Sequence, residues 1–162
     1  MSKNYLFPVL FILGFSSCNP VGKELTVLEL ANGEIVSAEN VSLKKGDVVT
    51  IWTKVSTSSK DEGGAFQVKF NIESKGKSLL LDSLNLNAED HVINSKKTEE
   101  SYNQSSSTGD STVHYTVHEY ETESKKFTAP ADGKYAFDFK LIDRSNNRSL
   151  FGGKMAIILR KS

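Results

Sequence analysis

Tyr135, Phe137, Phe139 and Leu141 alternate with Ala136, Asp138, Lys140 and Ile142, so one side of an extended segment is aromatic and aliphatic and the other mostly polar. Successive side chains of a strand point to opposite faces, and this pattern marks a strand with one face on a core. Phe66, Val68, Phe70 and Ile72 alternate in the same way with Gln67, Lys69 and Asn71, and Val113, Tyr115 and Val117 with His114, Thr116 and His118. Val49, Ile51, Thr53 and Val55 form a further strand with Trp52 on its opposite face. Met155, Ile157 and Leu159 end the chain as a strand capped by Arg160 and Lys161, and residues 25–31, 35–43 and 77–81 are shorter candidates. Asn32-Gly33, Lys45-Gly46-Asp47, Asp132-Gly133 and Gly152-Gly153 separate the runs, glycine being the residue that supplies positive φ at a tight reversal. No apolar stripe at helical spacing competes. The expected fold is all-β: an antiparallel β-sandwich, jelly-roll or Greek-key like, of about eight strands. Residues 96–110 (KKTEESYNQSSSTGD) lack the alternation and read as a flexible polar loop or hairpin tip.

A chain of 162 residues with 38% hydrophobic residues is long enough to bury a conventional core without a metal or disulfide staple. Its 20 basic and 20 acidic residues give no net charge and no basic stripe, which disfavours nucleic acid as a partner. The first twenty residues are unlike the rest. MSKNYLFPVLFILGFSSCNP holds one cation, Lys3, an apolar run from Tyr5 to Phe15, small Ser16 and Ser17, and then Cys18, the only cysteine. The run is about half the roughly 20 residues that a bilayer-spanning helix needs, and Pro8 interrupts it, so the pattern is that of an export signal.

Phe15-Ser16-Ser17-Cys18 resembles the lipobox of bacterial lipoproteins, in a relaxed form with Phe in place of the usual Leu. The resemblance implies a diacylglycerol thioether on Cys18, cleavage after Ser17 and acylation of the new amine. Residues 1–17 are then a lipoprotein signal peptide, 18–23 a lipidated tether, and 24–162 the β-sandwich domain preceded by that signal segment. Acyl chains contribute about 0.8 kcal/mol per buried methylene, so two or three hold a domain on a membrane. No acidic run follows Cys18, and such runs resemble surface-export signals. The expected address is therefore the cell envelope, at the periplasmic side of an outer membrane.

In the second half, Pro130 ends one strand, Gly133 permits reversal, and Tyr135 is placed to fold its ring over the core and hydrogen-bond back to the corner. This Phe127-Thr128-Ala129-Pro130…Gly133-Lys134-Tyr135-Ala136-Phe137 segment resembles GOLD-type and prepeptidase-C-terminal-type β-sandwich interaction modules. Leu43-Lys44-Lys45-Gly46-Asp47-Val48-Val49-Thr50-Ile51 resembles the hairpin such domains carry near their start. The resemblance implies a fold and a binding role and assigns no functional residue.

Candidate chemistry is sparse. His114 and His118 are four apart, but on a strand that separation is about 13 Å, too far to share a metal. His91, near Glu89 and Asp90, has no second ligand cluster. Asp132, Asp143, Asn146 and Asn147, and Asp82, Asn85 and Asn87, could offer oxygens to calcium, but their spacing fits turn chemistry better than a calcium loop. No serine sits in a nucleophile elbow and no glycine-rich phosphate loop occurs. No metal, cofactor or catalytic residue is therefore expected. The expected function is a lipid-anchored, non-catalytic binding or interaction module facing an envelope protein or glycan. One alternative is carbohydrate binding through exposed aromatics, Trp52 first and Tyr120 second, which requires Trp52 in a shallow groove. Another is a small hydrolase using converging carboxylates or His91.

Overall fold

The computed structural model describes residues 21–58, 66–84, 91–107, 109–143 and 153–162. Cys18 and the signal segment lie outside them, as do Asn85, Asn87, Glu89, Asp90, Asn146, Asn147 and Gly152. Nine strands follow in chain order: β1 (Lys23–Leu30), β2 (Ile35–Leu43), β3 (Val48–Ser58), β4 (Phe66–Ser74), β5 (Lys77–Ser83), β6 (Val92–Ser106), β7 (Gly109–Thr128), β8 (Gly133–Asp143) and β9 (Lys154–Lys161). They form a five-stranded sheet, β1-β9-β3-β7-β6, and a four-stranded sheet, β2-β8-β4-β5. Every strand pair is antiparallel. β1 pairs β9, β2 pairs β8, β3 pairs β7 and β4 pairs β5, which is one long ribbon of strand pairs laid alternately into two sheets. That winding is a jelly roll.

β6 is the strand this winding does not require. Residues 96–106 are not a loop but the greater part of β6, paired residue by residue with β7 from Lys96↔Glu119 to Ser106↔Gly109. As an edge strand with solvent on both faces it has no core to imprint an apolar period. Pairing between β3 and β7 stops at Ser58↔Val117. Among the described residues the remaining stretch of β7, from Gly109, pairs only with β6, an arm of about 27 Å at roughly 3.4 Å per residue.

The core lies where the alternation put it on β3, β4, β8 and β9, whereas Val113, Tyr115 and Val117 of β7, which alternate in the same way, stand outside it. Val49, Ile51 and Val55 of β3 and Met155, Ile157 and Leu159 of β9 pack against Val68, Phe70 and Ile72 of β4 and Tyr135, Phe137 and Phe139 of β8. The Phe70 and Phe139 rings stack at 6.3 Å and Phe127 meets Phe137 edge to face at 5.9 Å. Burying one such phenylalanine stabilises by roughly 1.5–3 kcal/mol. The tyrosine corner forms: the Tyr135 hydroxyl, in a residue that is 2% exposed, donates to the Ala131 carbonyl at 2.6 Å. Gly133 departs from expectation, since it opens β8 without a positive φ, whereas Gly33 (φ 79°) and Gly46 (φ 88°) have one. A turn that composition did not flag, Lys75-Gly76 (φ 53° and 71°), joins β4 to β5 with the two positive φ values a type I′ hairpin needs.

The two segments singled out in the sequence are tied together. Gly46 N–H donates to Ala129 O and Ala129 N–H to Asp47 O, both at 2.9 Å, and Lys45 N–H donates to Asp132 Oδ1 at 2.7 Å. Asp47 accepts from Lys44 N–H at 2.7 Å and pairs with Lys161. The Lys161 hydrogen bond first, and then that of the Lys44 N–H, hold the Asp47 carboxyl below its ordinary value.

Candidate functional site

The outer face of the five-stranded sheet is not a free surface at its centre. A bulge between Ile51 and Trp52 sets Trp52 opposite Glu123 on β7 and Ile158 on β9, on the side away from the core. The face was read correctly, but the ring is 1% exposed, so it offers no stacking platform to a sugar. Long side chains from neighbouring strands fold over it. His91 meets it edge-on at 5.0 Å, and the Arg160 guanidinium carbon lies 5.3 Å from its centroid, in the range of a cation–π contact. Tyr120 pairs with Val55, packs against the core from the opposite face of the same sheet, and contacts His118 at 5.1 Å. Trp52 and Tyr120 therefore cannot form one aromatic surface.

Around Trp52 the charges are linked. Arg160 Nη2 donates to Glu121 Oε2 at 2.8 Å, with both side chains only 10% exposed. Asn94 Nδ2 donates to the other Glu121 oxygen at 3.1 Å, and the exposed Glu24 lies 3.9 Å from Arg160. Glu123 pairs with His91 at 3.2 Å and with Lys126 at 2.8 Å. Burial pushes the Glu123 carboxyl up, but the hydrogen bonds and charges of Lys126 and His91 outweigh it, and the net shift is downward. Trp52 Nε1 and Arg160 Nη1 are buried with no hydrogen-bond partner. This arrangement seals the face: its carboxylates are spent on Arg160, Lys126 and His91. Beside it, Glu29, Lys54, Glu119 and Lys154 line a hollow of about 80 Å³, with the two lysines on the inner strands β9 and β3 and the two acids on β1 and β7.

The outer face of the four-stranded sheet is more open. Register aligns Ile35, Lys140, Lys69 and Ser83 in one row across its four strands, and Ser37, Asp138, Asn71 and Leu81 in the next. The polar groups of the floor are bonded to one another, Ser37 Oγ donating to Asp138 at 2.6 Å and Asn71 Nδ2 to Glu73 at 2.6 Å, and the surface left open in the groove is mostly apolar. The rims are aliphatic. Ile35 on edge strand β2 is 66% exposed and Leu81 on edge strand β5 is 74% exposed. A groove of about 210 Å³ runs between them over Lys69, Asn71, Asp138 and Lys140. Three inter-strand spacings separate the rims, about 14 Å. Sequence reading missed these residues. The available signal was Leu79-Leu80-Leu81, because three leucines in a row on a two-faced strand must leave some outside.

The remaining candidates fall to structural roles. His114 is exposed, and His118 shares a 3.1 Å contact with Ser95 Oγ on the neighbouring strand. Asp132 caps the Lys45 N–H, and Asp82 takes the Ser83 N–H at 2.8 Å and pairs with Lys125. Among the described residues, no group of three or more His, Cys, Asp or Glu is placed to hold a metal ion. Set against family models, curated proteins and solved structures, the chain matches none.

Proposed function

We propose that the chain is a cell-envelope lipoprotein, anchored through Cys18 to the periplasmic side of an outer membrane, whose jelly roll is a non-catalytic binding module. The anchor rests on the sequence: the apolar run, the small residues and the single cysteine in the order a lipobox needs. The binding role rests on one observation, the Ile35 and Leu81 rims standing exposed about a groove on the outer face of the four-stranded sheet whose open lining is mostly apolar. A water-facing sheet surface has no folding reason to hold large aliphatic side chains at two opposite edges, and a mostly apolar groove between them suits a protein partner laid across the strands. The two sandwich-type motifs point the same way, since the modules they resemble are interaction domains.

The test is site-specific photocross-linking in intact envelopes. A photoreactive residue at Leu81 is expected to give a discrete adduct that Ile35→Lys abolishes, while the same residue at the exposed Thr128, on the other sheet, gives none. Equal labelling at both positions, or an adduct indifferent to Ile35→Lys, would overturn the assignment of this face.

A further inference from the structure

Among the described residues, β6 leaves one edge of the five-stranded sheet without a neighbouring strand. It is hydrogen-bonded only to β7 among the described strands, and every residue from Asn94 to Ser105 is exposed. Such an edge presents a row of N–H and C=O groups ready to accept another strand, and lysines placed there ordinarily discourage it. Here the charges have a further property. Residues 96–100 read Lys-Lys-Thr-Glu-Glu, which is antisymmetric in charge about Thr98.

We infer that β6 pairs with β6 of a second copy of this chain, antiparallel and two-fold symmetric about Thr98, joining the two five-stranded sheets edge to edge. In that register Thr98 faces its own counterpart, Lys96 faces Glu100 and Lys97 faces Glu99, in both directions. All charged residues of the segment are then matched and no like charges oppose. Moving the centre of symmetry by one residue sets Lys97 against Lys97 or Glu99 against Glu99, and an intermediate register keeps only half of the Lys–Glu matches. The same lysines that would repel a basic edge, and stand unmatched against an uncharged one, therefore admit this one, which is specificity by charge rather than by apolar contact. An isologous contact of this kind closes at two copies. The register places Lys96 and Glu100 on the outer face of the sheet, with Glu119 and Tyr115, and Lys97 and Glu99 on the other, with His118 and Thr116. Lys–Glu pairs thus form on both sides of the junction. Glu100 already accepts from the Tyr115 hydroxyl at 2.7 Å through one oxygen, leaving the other for the partner's lysine. The bulge between Ile93 and Lys96, with Asn94 at φ 53°, bounds the regular segment on one side. Because pairing reverses strand direction, the tether ends of the two copies lie at opposite ends of the joined sheet.

The test uses the full chain with Cys18→Ser, so that neither the native thiol nor an anchor contributes. Residues directly opposite in an antiparallel pair have Cα atoms about 4.5 or 5.5 Å apart, and both separations suit a disulfide. Thr98→Cys is therefore expected to give a disulfide-linked dimer on mild oxidation. Ser101→Cys, whose two copies would stand about 20 Å apart, is expected to give at least roughly tenfold less. In the Thr98→Cys background, Lys96→Glu with Lys97→Glu and, separately, Glu99→Lys with Glu100→Lys should each lose the cross-link. An equimolar mixture of the two should regain it as a heterodimer, and roughly 1 M salt, where screening falls to about 3 Å, should weaken it. Equal yields at positions 98 and 101, or no recovery on mixing, would overturn the proposal. Unchanged thermal midpoints would show that the variants are folded.

Discussion

Replacing Glu121 with alanine destabilises the domain by about 3–5 kcal/mol, because it strands a guanidinium that the fold has already removed from water. Arg160 has its side chain 10% exposed, and Glu121 is its close carboxylate at 2.8 Å, with Glu24 farther off at 3.9 Å and half in solvent. One Arg160 nitrogen is already unpartnered in the intact protein, so no spare acceptor stands ready. Glu24 can swing in, which puts the cost toward the lower figure. At roughly 2–4 °C per kcal/mol for a domain of this size, the thermal midpoint falls by about 10 °C. The diagnostic comparison is the double variant Glu121→Leu with Arg160→Met, which removes both charges and keeps most of the volume. It is expected to be far more stable than Glu121→Ala, since buried pairs are costly mainly when only one partner is removed. A double variant as unstable as the single one would mean that the pair contributes through its geometry and not through mutual neutralisation.

Trp52→Ala is expected to cost about 3–5 kcal/mol by chemical denaturation, the range for deleting a large buried aromatic side chain. The residue is 1% exposed, and its loss opens a cavity beneath His91 and Arg160 on the sheet's outer face. Trp52→Phe separates packing from polarity. It keeps an aromatic ring for Arg160 while removing an indole N–H that is buried without an acceptor, a group whose desolvation costs about 1–3 kcal/mol. The phenylalanine variant should therefore lose clearly less than the alanine variant, since the cavity it leaves is smaller and the stranded N–H is gone. A small effect of Trp52→Ala on stability would contradict the sealed arrangement and return the ring to the surface.

Much of the fold was legible because burial on one face writes period two into a strand. The Phe66–Ile72 and Tyr135–Leu141 runs became β4 and β8, the two strands at the centre of the four-stranded sheet. The Tyr135 corner followed from residue types alone. What failed to show was whatever depends on neighbours in space. Alternation gave the face of Trp52 but not the side chains of His91 and Arg160 that cover it. It could not place Tyr120, because a bulge between Ile51 and Trp52 shifts the register of β3 against β7. β6 has no apolar period because neither of its faces meets a core, so its Ser, Thr, Asn and Gln residues resemble those of a loop. The exposed rims at Ile35 and Leu81 lie on segments legible only as short strand candidates, without a clean alternation to assign their faces. Their significance is visible only once the sheet brings them to one face.

The anchored binding module rests first on Cys18, and the mass of the protein's first residues, taken from purified membranes of cells expressing the full chain, tests it most directly. The account predicts an amino terminus at Cys18, carrying a diacylglyceryl thioether and an acylated amine, and its disappearance in Cys18→Ser. An amino terminus with Cys18 present as a free thiol, or a chain still beginning at Met1, would contradict it.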